Sequence, residues 1–150
     1  MVKLKPEQHE AIYTRNKDIL VSAGAGSGKT FVMINRIVDI IVSERKSIKN
    51  FLVVTFTNAA ATEMRAKLEK ELKKAISSGK YTPEDITHIR KQLDLLPEAD
   101  ICTLHKFCQN VIQKYFYCLE IDPTFSLVDP KEGELLSTIA LQNTICSGAY

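Results

Sequence analysis

The chain has 150 residues, of which 45% are hydrophobic and 25% charged, and its formal net charge at pH 7 is +2. These proportions are typical of a globular protein, and they exclude a disordered or fibrous chain. The net charge is too small to identify nucleic acid, or any other partner, without further signals.

Membrane and secretion signals are weak in this sequence. The longest apolar run covers residues 31–42 and is interrupted by Asn35, Arg36 and Asp39. A bilayer-spanning helix needs about 20 apolar residues, so no membrane partner is predicted. The first residues lack the basic, apolar and small-residue order of a signal peptide, which predicts a cytoplasmic protein. The four cysteines have no zinc spacing, so we expect reduced and mostly buried thiols.

Short apolar runs and helical periodicity divide the chain into alternating elements. A proline followed by a short apolar face predicts a first helix over residues 6–14. Brief apolar runs predict buried strands at residues 19–23, 51–55 and 101–104. Further helices are predicted at residues 29–43, 59–76 and 83–96, in the stretch that follows residue 104, and after Pro130.

Strands that alternate with helices favour a parallel sheet flanked by helices, which is the α/β class. Three strands make a narrow sheet, because sheets usually have about five or six. We therefore expect the chain to be the front part of something longer.

The stretch SAGAGSGKT, residues 22–30, stands between a predicted strand and a predicted helix. Stacked phosphates need backbone N–H groups at a helix N-terminus, glycines that permit close approach, and a cation. Lys29 would reach the β- and γ-phosphates of ATP, and the Thr30 hydroxyl would ligate Mg²⁺. The remaining predicted nucleotide-binding residues form the loop itself: Ala23, Gly24, Ala25, Gly26, Ser27 and Gly28.

This loop departs from the strict phosphate-loop pattern, because Ala23 stands where the first glycine is expected. The rival dinucleotide-binding fingerprint fits less well, since its third glycine falls on Lys29. A phosphate-binding loop is the better interpretation, although such loops serve kinases, GTPases, transporters and helicases alike.

Two further polar segments follow the second and third predicted strands. In VVTFTNAAATEM, the large aromatic Phe56 stands among small polar residues at a strand end, where a nucleic-acid base could stack. In ICTLHKFC, Thr103 and His105 take the same position after the third strand. The structural alternatives are that Thr57 or Asn58 only caps the next helix, and that His105 is an ordinary structural histidine.

Together, LKPEQHEAI, SAGAGSGKT, VVTFTNAAATEM and CTLHKFC resemble, in order, the N-terminal motifs of superfamily 1 DNA helicases of the UvrD/Rep type. The resemblance implies a partial RecA-like P-loop NTPase domain over residues 1–128 and the start of an inserted helical subdomain over 129–150. It also implies that Gln8 reads the adenine edge and that Phe56 stacks on single-stranded DNA. Residues that would lie near the DNA backbone are Thr55, Asn58, Thr103 and His105.

The same segments are similar to the AddA branch of that family, which belongs to the bacterial helicase-nucleases. That similarity implies ATP-dependent 3′-5′ unwinding during recombinational repair, with a second, AddB-like protein as partner. The family's strand that ends in Asp-Glu is missing from these 150 residues. Asp129 ends an apolar run, but Pro130 follows it, so we interpret Asp129 as unrelated to that motif.

The sequence thus predicts a fragment that binds ATP and Mg²⁺ without unwinding DNA, since hydrolysis needs the missing charged groups. Two alternatives stay open. One is a P-loop kinase or other small nucleotide-binding enzyme in which Phe56 is only packed. The other is a non-catalytic nucleotide-binding module.

Overall fold

The computed structural model of the chain describes residues 4–24, 26–119, 121–122, 124–125 and 128–147. The chain divides into two compact units, Met1–Gln109 and Asn110–Tyr150. All of the predicted site residues fall within the first unit. The predicted domain boundary at residue 128 stays a prediction.

Helices dominate the structure, and most begin and end within two residues of their predicted positions. The helices are α1 (Pro6–Tyr13), α2 (Lys29–Ser43), α3 (Asn58–Ser77), α4 (Pro83–Leu95), α5 (Leu104–Lys114) and α6 (Pro130–Cys146). Short 3-10 turns occur at Ile48–Asn50, Leu96–Glu98 and Phe116–Cys118. Local signals explain this accuracy: Thr82 and Asp85 form a capping box at the start of α4, for example.

The sheet consists of two parallel strands, β1 (Leu52–Thr55) and β2 (Asp100–Thr103). Val53 pairs with Ile101 on the buried face, and Thr55 pairs with Thr103 at the carboxyl ends. Parallel strands joined through α3 and α4 and flanked by helices confirm the predicted α/β class.

The predicted strand at residues 19–23 is wrong. These residues are described without regular structure, and Leu20 is 97% exposed. A strand needs a hydrogen-bonded neighbour about 4.8 Å away. Within the described residues β1 and β2 pair with each other, and neither pairs with this segment. Its apolar composition therefore produced a strand signal that no partner in this part of the chain satisfies.

One hydrophobic core holds α2, α3, α4 and the sheet together. Fully buried side chains include Ile41 on α2, Leu68 and Leu72 on α3, and Ile89 on α4. Gln92 is also buried, and its Oε1 accepts a hydrogen bond of 2.8 Å from the Ile48 N–H, so this polar group is satisfied. The core fixes the positions of the helices that carry the candidate site.

Two expectations about side chains need comment. The prediction of mostly buried cysteines is wrong, because Cys102 is half-buried and three others are exposed: Cys108, Cys118 and Cys146. All four are free thiols, as predicted. Among the described residues, no helix combines the length and apolar character that a membrane crossing requires.

Candidate nucleotide and nucleic-acid site

The Gly-rich loop leads directly into the N-terminus of α2. Gly28 is the N-cap residue with φ +88°, and Gly26 has φ +74°, both in the left-handed region that favours glycine. No side chain among the described residues caps α2, and its first turn contains no acidic residue. The helix dipole and the N–H groups of this turn can therefore attract an anion. Ala25, a predicted loop residue, lies outside the described residues.

Lys29 turns its amine back onto the loop. Its Nζ donates hydrogen bonds to the carbonyl oxygens of Ala23, at 2.5 Å, and Gly24, at 2.8 Å. The side chain is exposed, so the amine can exchange these acceptors for phosphate oxygens. Ser27 closes the loop, with its hydroxyl 2.7 Å from the Gly24 carbonyl oxygen. Cation, loop and helix N-terminus thus lie together, as the sequence predicted.

Gln8, on α1, reaches the same loop. Its Nε2 donates to the Ser27 carbonyl oxygen over 3.3 Å, and its Oε1 accepts from the Lys5 N–H over 3.0 Å. A glutamine amide has two N–H donors and two acceptor lone pairs. One N–H and one lone pair therefore stay available to a ligand.

A small cavity of about 190 Å³ lies between α1 and the loop, and Gln8, Ser27 and Lys29 line it. A larger groove of about 400 Å³ lies on the other side of α1, with Glu7, Glu10 and Asp18 on its walls. Carboxylates repel a triphosphate, so the smaller cavity is the better candidate for a nucleotide.

Arginines attach α1 to α2 and so fix the position of Gln8. Arg36, on α2, donates to the Ala11 carbonyl oxygen at 2.8 Å and the Thr14 carbonyl oxygen at 2.7 Å. Arg15 pairs with Asp39 and Glu44 on the same side of α2. Sequence reasoning missed both arginines, because contacts between residues 22 or more positions apart leave no local pattern.

At the carboxyl end of β1 the chain exposes Phe56 completely, with 104% of its reference surface accessible. Thr57 caps α3, because its hydroxyl accepts from the Ala60 N–H at 3.1 Å. The Thr55 hydroxyl donates to the Thr57 carbonyl oxygen at 3.0 Å and holds the turn. Asn58, the first residue of α3, is exposed and is not needed as the cap.

The carboxyl end of β2 lies beside that of β1. Thr103 pairs with Thr55 in the register, and its hydroxyl accepts from the Lys106 N–H at 3.3 Å in the first turn of α5. His105 is exposed. The two polar segments, 45 or more positions apart in the sequence, therefore meet at one sheet edge, as predicted.

The nucleotide loop and the β1 end also share a pocket. A cavity of about 280 Å³ is lined by Thr30 from α2 and by Thr55 and Phe56 after β1. Its floor and wall come from α3, where Glu63 and Lys67 form an ion pair at 2.5 Å. Thr30 is thus the residue that belongs both to the loop and to the neighbourhood of Phe56.

Arg65, on α3, holds the approach to β2. Its guanidinium donates to four main-chain carbonyl oxygens, those of Leu96, Pro97, Ala99 and Ile101. This fork of donors fixes the strand that presents Thr103 and His105. The sequence contains Arg65 within VVTFTNAAATEMR, but nothing local indicates its partners about 30 positions away.

This fold, the Gly-Lys-Thr loop at a helix N-terminus and the paired strand ends define a P-loop domain of a particular family. The chain matches the model of the UvrD/REP helicase N-terminal domain over residues 4–147. The chain therefore belongs to the UvrD/REP helicase family.

Its curated relatives share one name, which describes each as the A-type component of an ATP-dependent helicase/nuclease. The chain is 45% identical to that of Geobacillus kaustophilus over 141 residues, which are 93% of the chain and 11% of the relative. It is 46% identical to that of Oceanobacillus iheyensis over 147 residues, 97% of the chain and 12% of the relative. The relative from Syntrophomonas wolfei is 42% identical over 144 residues. The chain thus spans about a tenth of the length of these relatives.

Proposed function

We propose that the chain is the ATP-binding N-terminal part of an ATP-dependent 3′-5′ DNA helicase, the AddA-type component of a helicase-nuclease that acts in recombinational repair. The observation that supports it best is the pocket that Thr30 shares with Phe56. A helicase must couple nucleotide to a DNA strand, and this pocket puts the two candidate binding elements side by side. The name of the relatives and the family match agree with this proposal.

The nucleotide would lie along the loop with its base toward α1. Lys29 and the N–H groups at the start of α2 would hold the phosphates, as charge-assisted hydrogen bonds favour. The unused N–H and lone pair of Gln8 match adenine, which offers N7 as an acceptor and N6 as a donor. Guanine offers two acceptors at the same edge and would leave the Gln8 oxygen unsatisfied.

Mg²⁺ fits this site through Thr30. Magnesium takes oxygen ligands and is usually held by one or two protein groups together with phosphates and water. The Thr30 hydroxyl, half-buried in the first turn of α2, is such a ligand. When bound, the metal would neutralise phosphate charge.

DNA would bind across the carboxyl ends of β1 and β2. Phe56 is available for stacking on a base because it is fully exposed. Asn58 and His105 are exposed beside it and would contact the strand, whereas the hydroxyls of Thr55 and Thr103 also stabilise the turns they occupy. A kinase in which Phe56 is packed fits poorly, since no described residue covers this ring.

These 150 residues contain no apolar strand that ends in Asp-Glu. We therefore propose that the 150-residue chain binds ATP but does not hydrolyse it at a steady rate. The whole protein's hydrolysis, its cytoplasmic location and its AddB-like partner belong to the same proposal.

Binding measurements on the purified chain test the proposal. Calorimetry should detect ATP binding that Lys29→Ala weakens, and fluorescence anisotropy should detect oligo-dT binding that Phe56→Ala weakens. DNA-stimulated ATP turnover that Lys29→Ala abolishes would contradict the proposed inactivity of the chain. Binding of neither ligand would contradict the assignment of both sites.

A further inference from the structure

A second aromatic segment lies outside the site described above. Residues 114–117 read Lys-Tyr-Phe-Tyr and fall at the end of α5 and the start of the Phe116–Cys118 turn. We call Lys114, Tyr115, Phe116 and Tyr117 the aromatic platform. It belongs to the second compact unit, and nothing in the proposed function uses it.

The tyrosine rings of the platform are open to solvent. Tyr115 is 43% exposed and Tyr117 is 66% exposed, while Phe116 is half-buried. Tyr115 and Tyr117 are tilted by 58° with their centroids 6.4 Å apart, and Phe116 meets Tyr117 edge-on at 84°. Rings that meet at such angles leave their faces uncovered by one another. Both tyrosines can therefore accept a flat ligand on a ring face.

The charge around the platform is positive. Lys114 Nζ lies 5.4 Å from the centroid of Tyr115, within cation–π range. The sequence has no acidic residue between Asp100 and Glu120. A polyanion can therefore approach the rings without meeting a nearby carboxylate on this segment.

Open aromatic faces beside a cation are the combination that binds single-stranded nucleic acid, where bases stack and phosphates meet positive charge. The 6.4 Å between the ring centroids exceeds the ~3.4 Å rise of a stacked strand, so the two rings suit neighbouring bases of an extended strand. Paired bases of a duplex are stacked and present no free face. The platform therefore fits single strands better than duplexes.

We propose that the aromatic platform is a second contact for single-stranded DNA, in which Tyr115 and Tyr117 stack on bases and Lys114 attracts the backbone. The inference rests on the proposed function, because it assumes that the chain handles single strands. It adds a binding segment beyond the ends of β1 and β2.

The test measures oligo-dT binding by fluorescence anisotropy for the 150-residue chain and its variants. Y115A/Y117A should weaken binding about fivefold or more for each base that loses its stacking partner. Y13A is the matched control, because Tyr13 is exposed to a similar extent, 47%, but lies on α1. It should leave the affinity unchanged. K114Q should lower the salt dependence, by about 0.7 in the slope of log K against log salt.

A second readout does not depend on truncation. The chain has five tyrosines and no tryptophan, so stacked bases should quench its tyrosine emission. Y115F/Y117F keeps both rings and should bind oligo-dT as the unmodified chain does, while the quenching is lost. Quenching that persists undiminished in this variant would overturn the proposal.

The remaining outcomes separate this inference from the proposed function. If Phe56→Ala weakens binding and Y115A/Y117A does not, the platform is not a DNA contact and the first site stands. If the unmodified chain binds no oligo-dT, both proposals fail. If Y115A/Y117A leaves DNA affinity unchanged but converts a dimer to a monomer in sedimentation, the platform joins two copies of the chain and the inference is overturned.

Discussion

Thr55 and Thr103 are register partners at the carboxyl ends of the two parallel strands, although 48 positions separate them in the sequence. Their pairing aligns the turn that exposes Phe56 with the turn that exposes His105. The proposed DNA contacts therefore depend on one ladder of main-chain hydrogen bonds. The predictions below start from this edge.

Phe56→Ala should weaken oligo-dT binding by about 1–3 kcal/mol, the usual contribution of one base stacked on an aromatic ring. It should leave the melting temperature unchanged, because the ring is fully exposed and supports no packing. Phe56→Trp retains a stacking surface and should preserve binding. Anisotropy and thermal melting measure the two quantities. An unchanged affinity for the alanine variant would remove Phe56 from the proposed DNA site.

Lys29→Ala should weaken ATP binding by about 1.5–3 kcal/mol, the range for hydrogen bonds to charged groups. Adenosine has no phosphates for Lys29 to contact, so its affinity should not change. Lys17→Ala is a suitable control, since Lys17 is an exposed lysine outside the loop. Calorimetry with both ligands makes the comparison. Equal losses for ATP and adenosine would indicate damage to the fold instead of a lost phosphate contact.

Gln8→Ala should reduce the preference for ATP over GTP by about 1–3 kcal/mol, the usual discrimination of a bidentate base contact. The variant removes the side-chain amide that has one N–H and one lone pair unused. Competition binding of the two nucleotides measures the preference. A chain that already binds ATP and GTP equally would contradict the role of Gln8.

The glycines of the loop differ in what a methyl group would meet. At Gly28, with φ +88°, a Cβ would lie 3.2 Å from Gln8 Nε2, so Gly28→Ala should destabilise the fold by about 1–2 kcal/mol. At Gly24 a Cβ meets nothing within 4 Å, so Gly24→Ala should leave stability unchanged. If phosphates approach the loop there, Gly24→Ala should still weaken ATP binding. Chemical denaturation and calorimetry on both variants separate the two effects.

Acid should weaken the start of α4. Hydrogen bonds from the Thr82 hydroxyl and main chain, followed by the nearby Arg45, lower the pKa of Asp85 below its ordinary value of 3.8. A lowered folded-state pKa means that this contribution to stability is present above the unfolded-state value and is lost as pH falls through the folded-state pKa. Asp85→Asn should flatten the pH dependence of the melting temperature below about pH 4. Identical profiles for both proteins would show that the capping box does not contribute.

The helices were predictable because their signals are local. Pro83 with the Thr82 cap starts α4, and the Met64, Leu68 and Leu72 stripe marks the buried face of α3. The strand at residues 19–23 was not, because a strand depends on a distant partner that apolar composition does not reveal. The motif residues of the site were found by pattern, whereas Arg36 and Arg65, which hold the supporting elements in place, act across 20 to 36 positions.

Asp129 illustrates the value of a local alternative. It stands at the end of an apolar run, where a metal-binding carboxylate could have been sought. In the structure its side chain accepts from the Lys131 and Glu132 N–H groups and caps α6. The expectation that Asp129 is unrelated to the missing Asp-Glu motif agrees with this capping role.

The hydrogen bond from Gln8 to Ser27 joins the part of the chain that would read the base to the loop that would hold the phosphates. If base binding orders Gln8, it also orders Ser27, and the linkage must be reciprocal. Adenosine and inorganic triphosphate, offered together, would then each increase the affinity for the other by the same factor. The intact nucleotide would bind more tightly than its two halves suggest, and a purine that Gln8 rejects would lose phosphate affinity as well.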